Sequence, residues 1–444
     1  MRTRYCSGGL CKSFVSVMPD PQEFQGCIAA YSVGLLVGYA IQMFFQASAR
    51  FPFGGPADFT IFYTAAHIVR SGQRHGLYDL ALQAKVQQSI LLPYGGFMQN
   101  GLLPYNYPPF GALLFLPVSF LPLGCAFHTW NALNMGLTVA LIALLVRSIR
   151  KSYSLRTFVT ISLAVLSFYP VARVFGYGQS SLWVAFWVAL SYFWLKGGKD
   201  LLSGMGLAAG LLKPQLVLTL LLVLLYRRRW RFVLGFAATA SVLLGLSAIL
   251  VGEKGLSSYL ALLQSAISPD GFGAIAPVLM PNIRGTAARL TQALVPYFNA
   301  PLTSAGAAAL TALLSLPVLA IVLWIWKGQW NTDSDRFQLQ YAITIICSLL
   351  LSPHLGDHDL SLLVIVGFLA SGYFSSRGNA KAGLLFICTG HLGYFLTVLF
   401  SENHVRAQII QVLVLALAIP LIKQMRYASH PSGRTGMTSD QAWA

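Results

Sequence analysis

The stretch Gly54-Gly55-Pro56-Ala57-Asp58-Phe59-Thr60-Ile61-Phe62-Tyr63 sets a carboxylate directly after the first long apolar run of a chain that otherwise avoids charge. Asp58 is therefore expected within a few residues of a membrane surface, where an enzyme acting on a lipid-borne substrate would hold its base. Asp is also a favoured N-cap residue, so a cap on a helix beginning at Phe59 is the competing expectation.

Composition decides the surroundings of that carboxylate. Of 444 residues, 56% are hydrophobic and 10% charged, and the mean hydropathy is +0.65. An ordinary soluble domain carries roughly 25% charge, so that class is excluded. Apolar runs near the roughly 20 residues needed to cross a bilayer recur at 27–46, 126–147, 157–175, 180–195, 231–251, 302–326, 337–352, 359–374, 383–400 and 405–423. Shorter runs lie at 109–123, 200–212 and 214–226. We expect an all-α polytopic membrane protein with one helical membrane domain over 27–425. A cytoplasmic segment, 1–26, precedes it, and a disordered cytoplasmic tail, 426–444, follows. The first run is too long for a cleaved signal and is taken as an anchor. Cys6, Cys11, Cys27, Cys125, Cys347 and Cys388 are scattered and imply neither a metal site nor a disulfide framework.

The net charge of +17 invites a nucleic-acid reading, but its distribution argues otherwise. Arg147, Arg150, Lys151 and Arg156, then Lys196 and Lys199, then Arg227, Arg228, Arg229 and Arg231 cluster in short loops beside apolar runs. Lys327 and Arg336, Arg377 and Lys381, and Lys423, Arg426 and Arg434 extend the pattern, which marks the cytoplasmic side. With that register, 109–123, broken by Pro117 and Pro122, is a half-span or re-entrant element. Residues 200–226 must enter and return, as two short helices meeting near Lys213-Pro214. Extracytoplasmic loops then cover about 50–108 and 252–301, with interfacial helices over 59–71 and 79–92.

The unusual polar groups gather on that outer face. His354, Asp357, His358 and Asp359 form the densest patch. His and Asp are common metal ligands, yet no fourth ligand is evident, and a solvated turn whose Asp359 caps the next helix is the alternative. Arg173 and Lys213 lie within or at the end of apolar segments, where an unpaired charge is expensive. Either they bind an anionic lipid head, or they snorkel or pair with Asp58 and Asp357. Arg284 and Arg289 extend the basic set, or anchor a surface-lying amphipathic helix. Gln179 falls in the turn Phe175 to Gln179. Tyr105 and Tyr107 punctuate the first loop, where tyrosines are favoured in any case.

Asp58-Phe59 with Phe62-Tyr63, Leu77-Tyr78-Asp79, Tyr107-Pro108-Pro109-Phe110, Gly178-Gln179, Leu212-Lys213-Pro214, Asn282 with Arg284-Gly285, and Ser352-Pro353-His354 with Asp359-Leu360 follow one another in an order that resembles glycosyltransferase family 87. Its best-known members are polyprenol-phosphate-mannose-dependent alpha-mannosyltransferases, and the likeness runs from about residue 58 to 360. The resemblance implies a C-type glycosyltransferase bundle of about 10 to 13 membrane helices or half-helices. It carries the family's catalytic aspartate onto Asp58 and its active-site histidine onto His354. Gly356-Asp357-His358 departs from the pattern by being more polar.

What the resemblance implies is a multi-pass hexosyltransferase of the plasma (inner) membrane, most simply a mannosyltransferase serving the cell envelope. It would move a sugar from a polyprenyl-phosphate donor to a lipid or glycan acceptor on the extracytoplasmic face. Asp58 would take the acceptor proton and the anomeric centre would invert. Tyr107, Arg173, Gln179, Lys213, Arg284, Asp357, His358 and Asp359 are expected around the substrates, with His354 beside the departing phosphate. Cationic side chains would hold that phosphate, so neither metal nor other cofactor is expected. The rival is a transporter or lipid flippase, which also uses broken helices and membrane charges. No internal repeat supports it.

Overall fold

A computed structural model describes residues 26–39, 57–94, 102–149, 155–267, 277–294, 304–397 and 403–428. The expectations for the N-terminal segment, for Gly54 to Pro56, for Cys6 and Cys11 and for the tail beyond residue 428 lie outside the described residues.

The described chain is helical, without a strand. After α1 (Gly26–Tyr39) come α2 (Ala57–Arg70), α3 (Leu80–Leu91), α4 (Pro109–Phe115), α5 (Leu123–Ile149), α6 (Leu155–Ser167), α7 (Tyr169–Tyr177) and α8 (Ser181–Lys196). Next are α9 (Asp200–Ala209), α10 (Pro214–Tyr226), α11 (Trp230–Ile267), α12 (Ile283–Leu294), α13 (Ser304–Ile325) and α14 (Asp335–Leu351). A 3-10 segment, Asp357–Leu362, leads into α15 (Leu363–Ser376), α16 (Ala380–Thr397) and α17 (Asn403–Ala428).

Five of the described helices are long and apolar enough to cross a membrane, and a sixth span forms if the bent α6–α7 pair is taken as one. Leu313, Leu316, Leu319 and Leu323 of α13 are exposed, as expected of side chains whose neighbours are lipid tails. The 109–123 run is too short to cross. The seven-residue α4 covers about 10 Å against the roughly 30 Å of hydrocarbon. Residues 200–226 form the expected broken hairpin, with α9 passing through a 3-10 turn, Gly210–Leu212, to Lys213 and then α10. Pro214 lacks the N–H that would continue the first helix but suits the first turn of the second.

Two expectations change. The 157–175 run is not one helix, because α6 and α7 meet at 66° across Phe168. Pro170 stands in the first turn of α7 and cannot donate into the preceding ladder. The segment read as a loop from 252 begins as helix. α11 continues to Ile267 across a break at Gly252, whose φ of 69° is left-handed.

Among the described residues, buried side chains form two cores. The larger joins α5 to α11 with α12 to α17. The smaller packs α2, α3, α4 and the start of α5 against α11 near Val251. Phe62 stacks on Phe115 at 4.3 Å between ring centroids, and Phe115 meets Trp130 at 4.2 Å. This aromatic packing fixes α2, and with it Asp58, over the membrane helices.

Candidate active site

Asp58 is brought to the membrane bundle by the end of α7. Gly178 ends that helix at φ 65°, a conformation available to glycine at no steric cost. Its N–H reaches Phe175 O and that of Gln179 reaches Val174 O, the paired bonds of a Schellman motif. A Cβ on Gly178 would lie 2.7 Å from Phe59 Cβ, so only glycine lets this turn touch the start of α2. From α5, Trp130 Nε1 and Asn134 Nδ2 both donate to Gln179 O, at 3.4 and 3.2 Å. The Gln179 side chain is thereby aimed at Asp58.

Gln179 Nε2 donates to Asp58 Oδ2 at 2.8 Å. Its Oε1 accepts from Lys213 Nζ at 3.1 Å and from the Tyr107 hydroxyl at 3.3 Å, so the amide cannot turn over without losing all three contacts. Lys213, 2% exposed, also donates to Ser181 Oγ at 2.9 Å and to Asp359 Oδ1 at 2.6 Å. Ser181 donates to the same carboxylate oxygen at 2.8 Å, and Gly356 N–H donates to Asp359 Oδ2 at 3.0 Å. Asp58 thus ends a buried chain that runs through Gln179 and Lys213 to Asp359.

This geometry changes several expectations. Asp58 lies in the first turn of α2, and its hydrogen bond goes to a distant glutamine rather than to a cap amide. Asp359 bonds the Gly356 amide, as the capping alternative had it, and also neutralises Lys213, a pairing the sequence reading did not offer. Lys213 pairs with Asp359 and not with Asp58 or Asp357, and its three N–H donors are all used, which leaves none for a phosphate oxygen. Among the described residues no three His, Cys, Asp or Glu side chains gather as a metal site.

The 352–359 turn is held by α12. Asn282, fully buried, accepts from Gly285 N at its own helix start and donates to Ser352 O at 2.8 Å. Arg284 Nη1 donates to Pro353 O at 2.9 Å. Arg289 instead reaches Val278 O, Met280 O and Gln411 Oε1, a bracing role. His354 sits in the field of Asp359, Lys213 and Arg284, and burial pushes its pKa below the usual imidazole value. His358 Nε2 stands 3.6 Å from Asp359 Oδ1. Its ring lies so close over Gly356 that a Cβ there would be 2.5 Å away, which accounts for the small residue in the departing Gly356-Asp357-His358 sequence.

Burial raises the pKa of Asp58. The Gln179 hydrogen bond and the charges of Lys213 and Arg173 oppose that shift without cancelling it. Arg173 lies 3.9 Å from the Tyr177 ring centroid and 5.6 Å from that of Tyr169. Arg406 of α17, not singled out by sequence, donates to the Tyr169 hydroxyl and to Asp357 Oδ2, the latter at 3.2 Å. Its signal was present, since an arginine at the start of an apolar run is costly without a partner.

The fold and site define a polytopic helical membrane protein with a carboxylate held between α2 and a cationic cluster. The family model for glycosyltransferase family 87 matches residues 105–353. A polyprenol-phosphate-mannose-dependent alpha-(1-2)-phosphatidylinositol pentamannoside mannosyltransferase of Mycolicibacterium smegmatis is 30% identical over 221 residues. That stretch covers 48% of this chain and 50% of the relative, about half the length of each. No solved structure matches. The chain belongs to glycosyltransferase family 87. Tyr107, Arg173, Gln179, Lys213 and Arg284 fall inside the matched residues, whereas Asp58, His354, Asp357, His358, Asp359 and Arg406 fall outside them.

Proposed function

We propose that this protein transfers a hexose, mannose by analogy with the relative, from a polyprenyl-phosphate donor to a lipid or cell-envelope glycan acceptor. The site faces the extracytoplasmic side of the plasma membrane. One observation carries the reading: Asp58 has one oxygen bonded to an immobilised Gln179 and keeps the other for a substrate hydroxyl, in surroundings that raise its basicity.

The acceptor oxygen attacks the anomeric carbon while Asp58 takes its proton. The bond between that carbon and the phosphate oxygen breaks, the electron pair leaves with the phosphate, and attack from the opposite face inverts the configuration. Arg173 and Arg284 supply positive charge for the departing phosphate, with His354 a neutral hydrogen-bond donor beside it. Lys213 is assigned to holding Gln179 and Asp359 rather than to the phosphate.

The test is transfer by the purified protein from a panel of polyprenyl-phosphate sugars to membrane-lipid acceptors, with the anomeric configuration of the product read by NMR. Transfer from one donor with inversion is expected. Retention would remove the single-displacement role of Asp58, and transfer from none of the donors would remove the reading.

A further inference from the structure

A cavity of about 690 Å³ lies among α1, α6, α15, α16 and α17, apart from Asp58. Ser375 and Lys381 line one end, beside the α15–α16 turn, and Phe168 and His391 line the other, with Ala164 and Gly367 between. Along α6 the lining runs from Thr157 to Phe168, about 17 Å at the helical rise. That is more than half the depth of a bilayer's hydrocarbon. A long thin apolar chain fits such a space better than a compact group.

Its Phe168 end adjoins the arginine cluster. Phe168 packs against His391 at 5.1 Å and Tyr394 at 5.3 Å between ring centroids. The next residue, Tyr169, lies under Arg406 and Arg173 at 4.9 and 5.6 Å. Among the described residues, three buried polar atoms at this junction find no hydrogen-bond partner: Arg173 Nε, Arg406 Nε and the hydroxyl of Tyr394. Tyr394 is 1% exposed. Asp357 pairs with Arg406, and Arg173 lies in the field of Asp58. Buried donors without partners, beside two guanidinium groups, call for an oxygen ligand of the kind a phosphate supplies.

We infer that the cavity receives the isoprenoid chain of the donor, with its phosphate held at Arg173, the cation shared with the reaction proposed above, and met on the cavity side by Arg406 and the Tyr394 hydroxyl; this rests on the donor class proposed above. The 66° bend at Phe168 is where the lipid passes from apolar cavity to charged head. The acceptor then approaches from the α2 side, where Asp58 stands.

The experiment compares two synthetic donors of the same sugar, one with a two-isoprene and one with a seven-isoprene chain, on the full-length protein. Gly367→Leu and Gly390→Leu each grow a side chain into the cavity from positions where a Cβ meets only ordinary contact, Ile387 and Leu417 at 3.8 Å. The KM of the long donor is expected to rise about tenfold, with the short donor and the acceptor unchanged. A rise in acceptor KM instead, an equal rise for both donors, or no change in either variant overturns the inference. Tyr394→Phe is expected to raise the KM of both donors alike, and an unchanged KM would overturn the placement of the phosphate. Wild type transferring from neither donor would instead remove the donor class itself.

Discussion

Asp58 and Gln179 stand 121 residues apart and share a hydrogen bond of 2.8 Å. A carboxylate base is competent only when deprotonated, so kcat/KM should be full above the Asp58 pKa and be lost as pH falls through it. Burial outweighs the lowering influences on that group, which sets the midpoint above the ordinary carboxylate range. Gln179→Leu removes one of the lowering influences and should move the acid limb of the pH profile upward by about one unit. A limb that stays in place would make Gln179 merely structural. Lys213→Met leaves Asp359 buried without its counter-ion and should cost about 3–5 kcal/mol. Pairing it with Asp359→Leu should recover most of the loss in thermal unfolding, whereas additive losses would deny the coupling. The sequence marks Asp58, Lys213 and Asp359 as charges that an apolar chain must account for. It does not tell which charge meets which, because Lys213 and Asp359 are brought together only by the packing of α8, α10 and the 3-10 turn.

At the scale of elements, the α7 turn does the positioning. Gly178→Ala puts a side chain into a left-handed backbone, costing about 1–2 kcal/mol, and drives its Cβ against Phe59. We expect lower thermal stability together with a fall in kcat larger than any change in KM. Stability lost with kcat intact would mean that the turn does not aim Gln179. The hairpin at Lys213-Pro214 was legible because basic loops on both sides force the chain to return and proline marks the break. The bend at Phe168 was not read, since the apolar run continues through it and Pro170 is its only local mark. Arg406 was overlooked because it lies in a run whose hydropathy alone reads as a span.

At the scale of the molecule, the assignment of faces rests on the short basic loops. Gln73, exposed in the turn after α2, offers a test. Gln73→Cys, with the native cysteines replaced, should react with an impermeant maleimide from the extracytoplasmic side. Labelling from the cytoplasmic side alone would invert the topology and move the site to the other face. The helical membrane class was legible from composition, and the family from the order of short motifs. The joining of α2 to the bundle through Gln179 needed the fold. The most direct measurement is the rate of sugar transfer from a polyprenyl-phosphate donor by purified wild type and Asp58→Asn of matched thermal stability. The account predicts that the variant keeps its donor KM and loses about a hundredfold to ten-thousandfold in kcat; equal rates in the two proteins would contradict it.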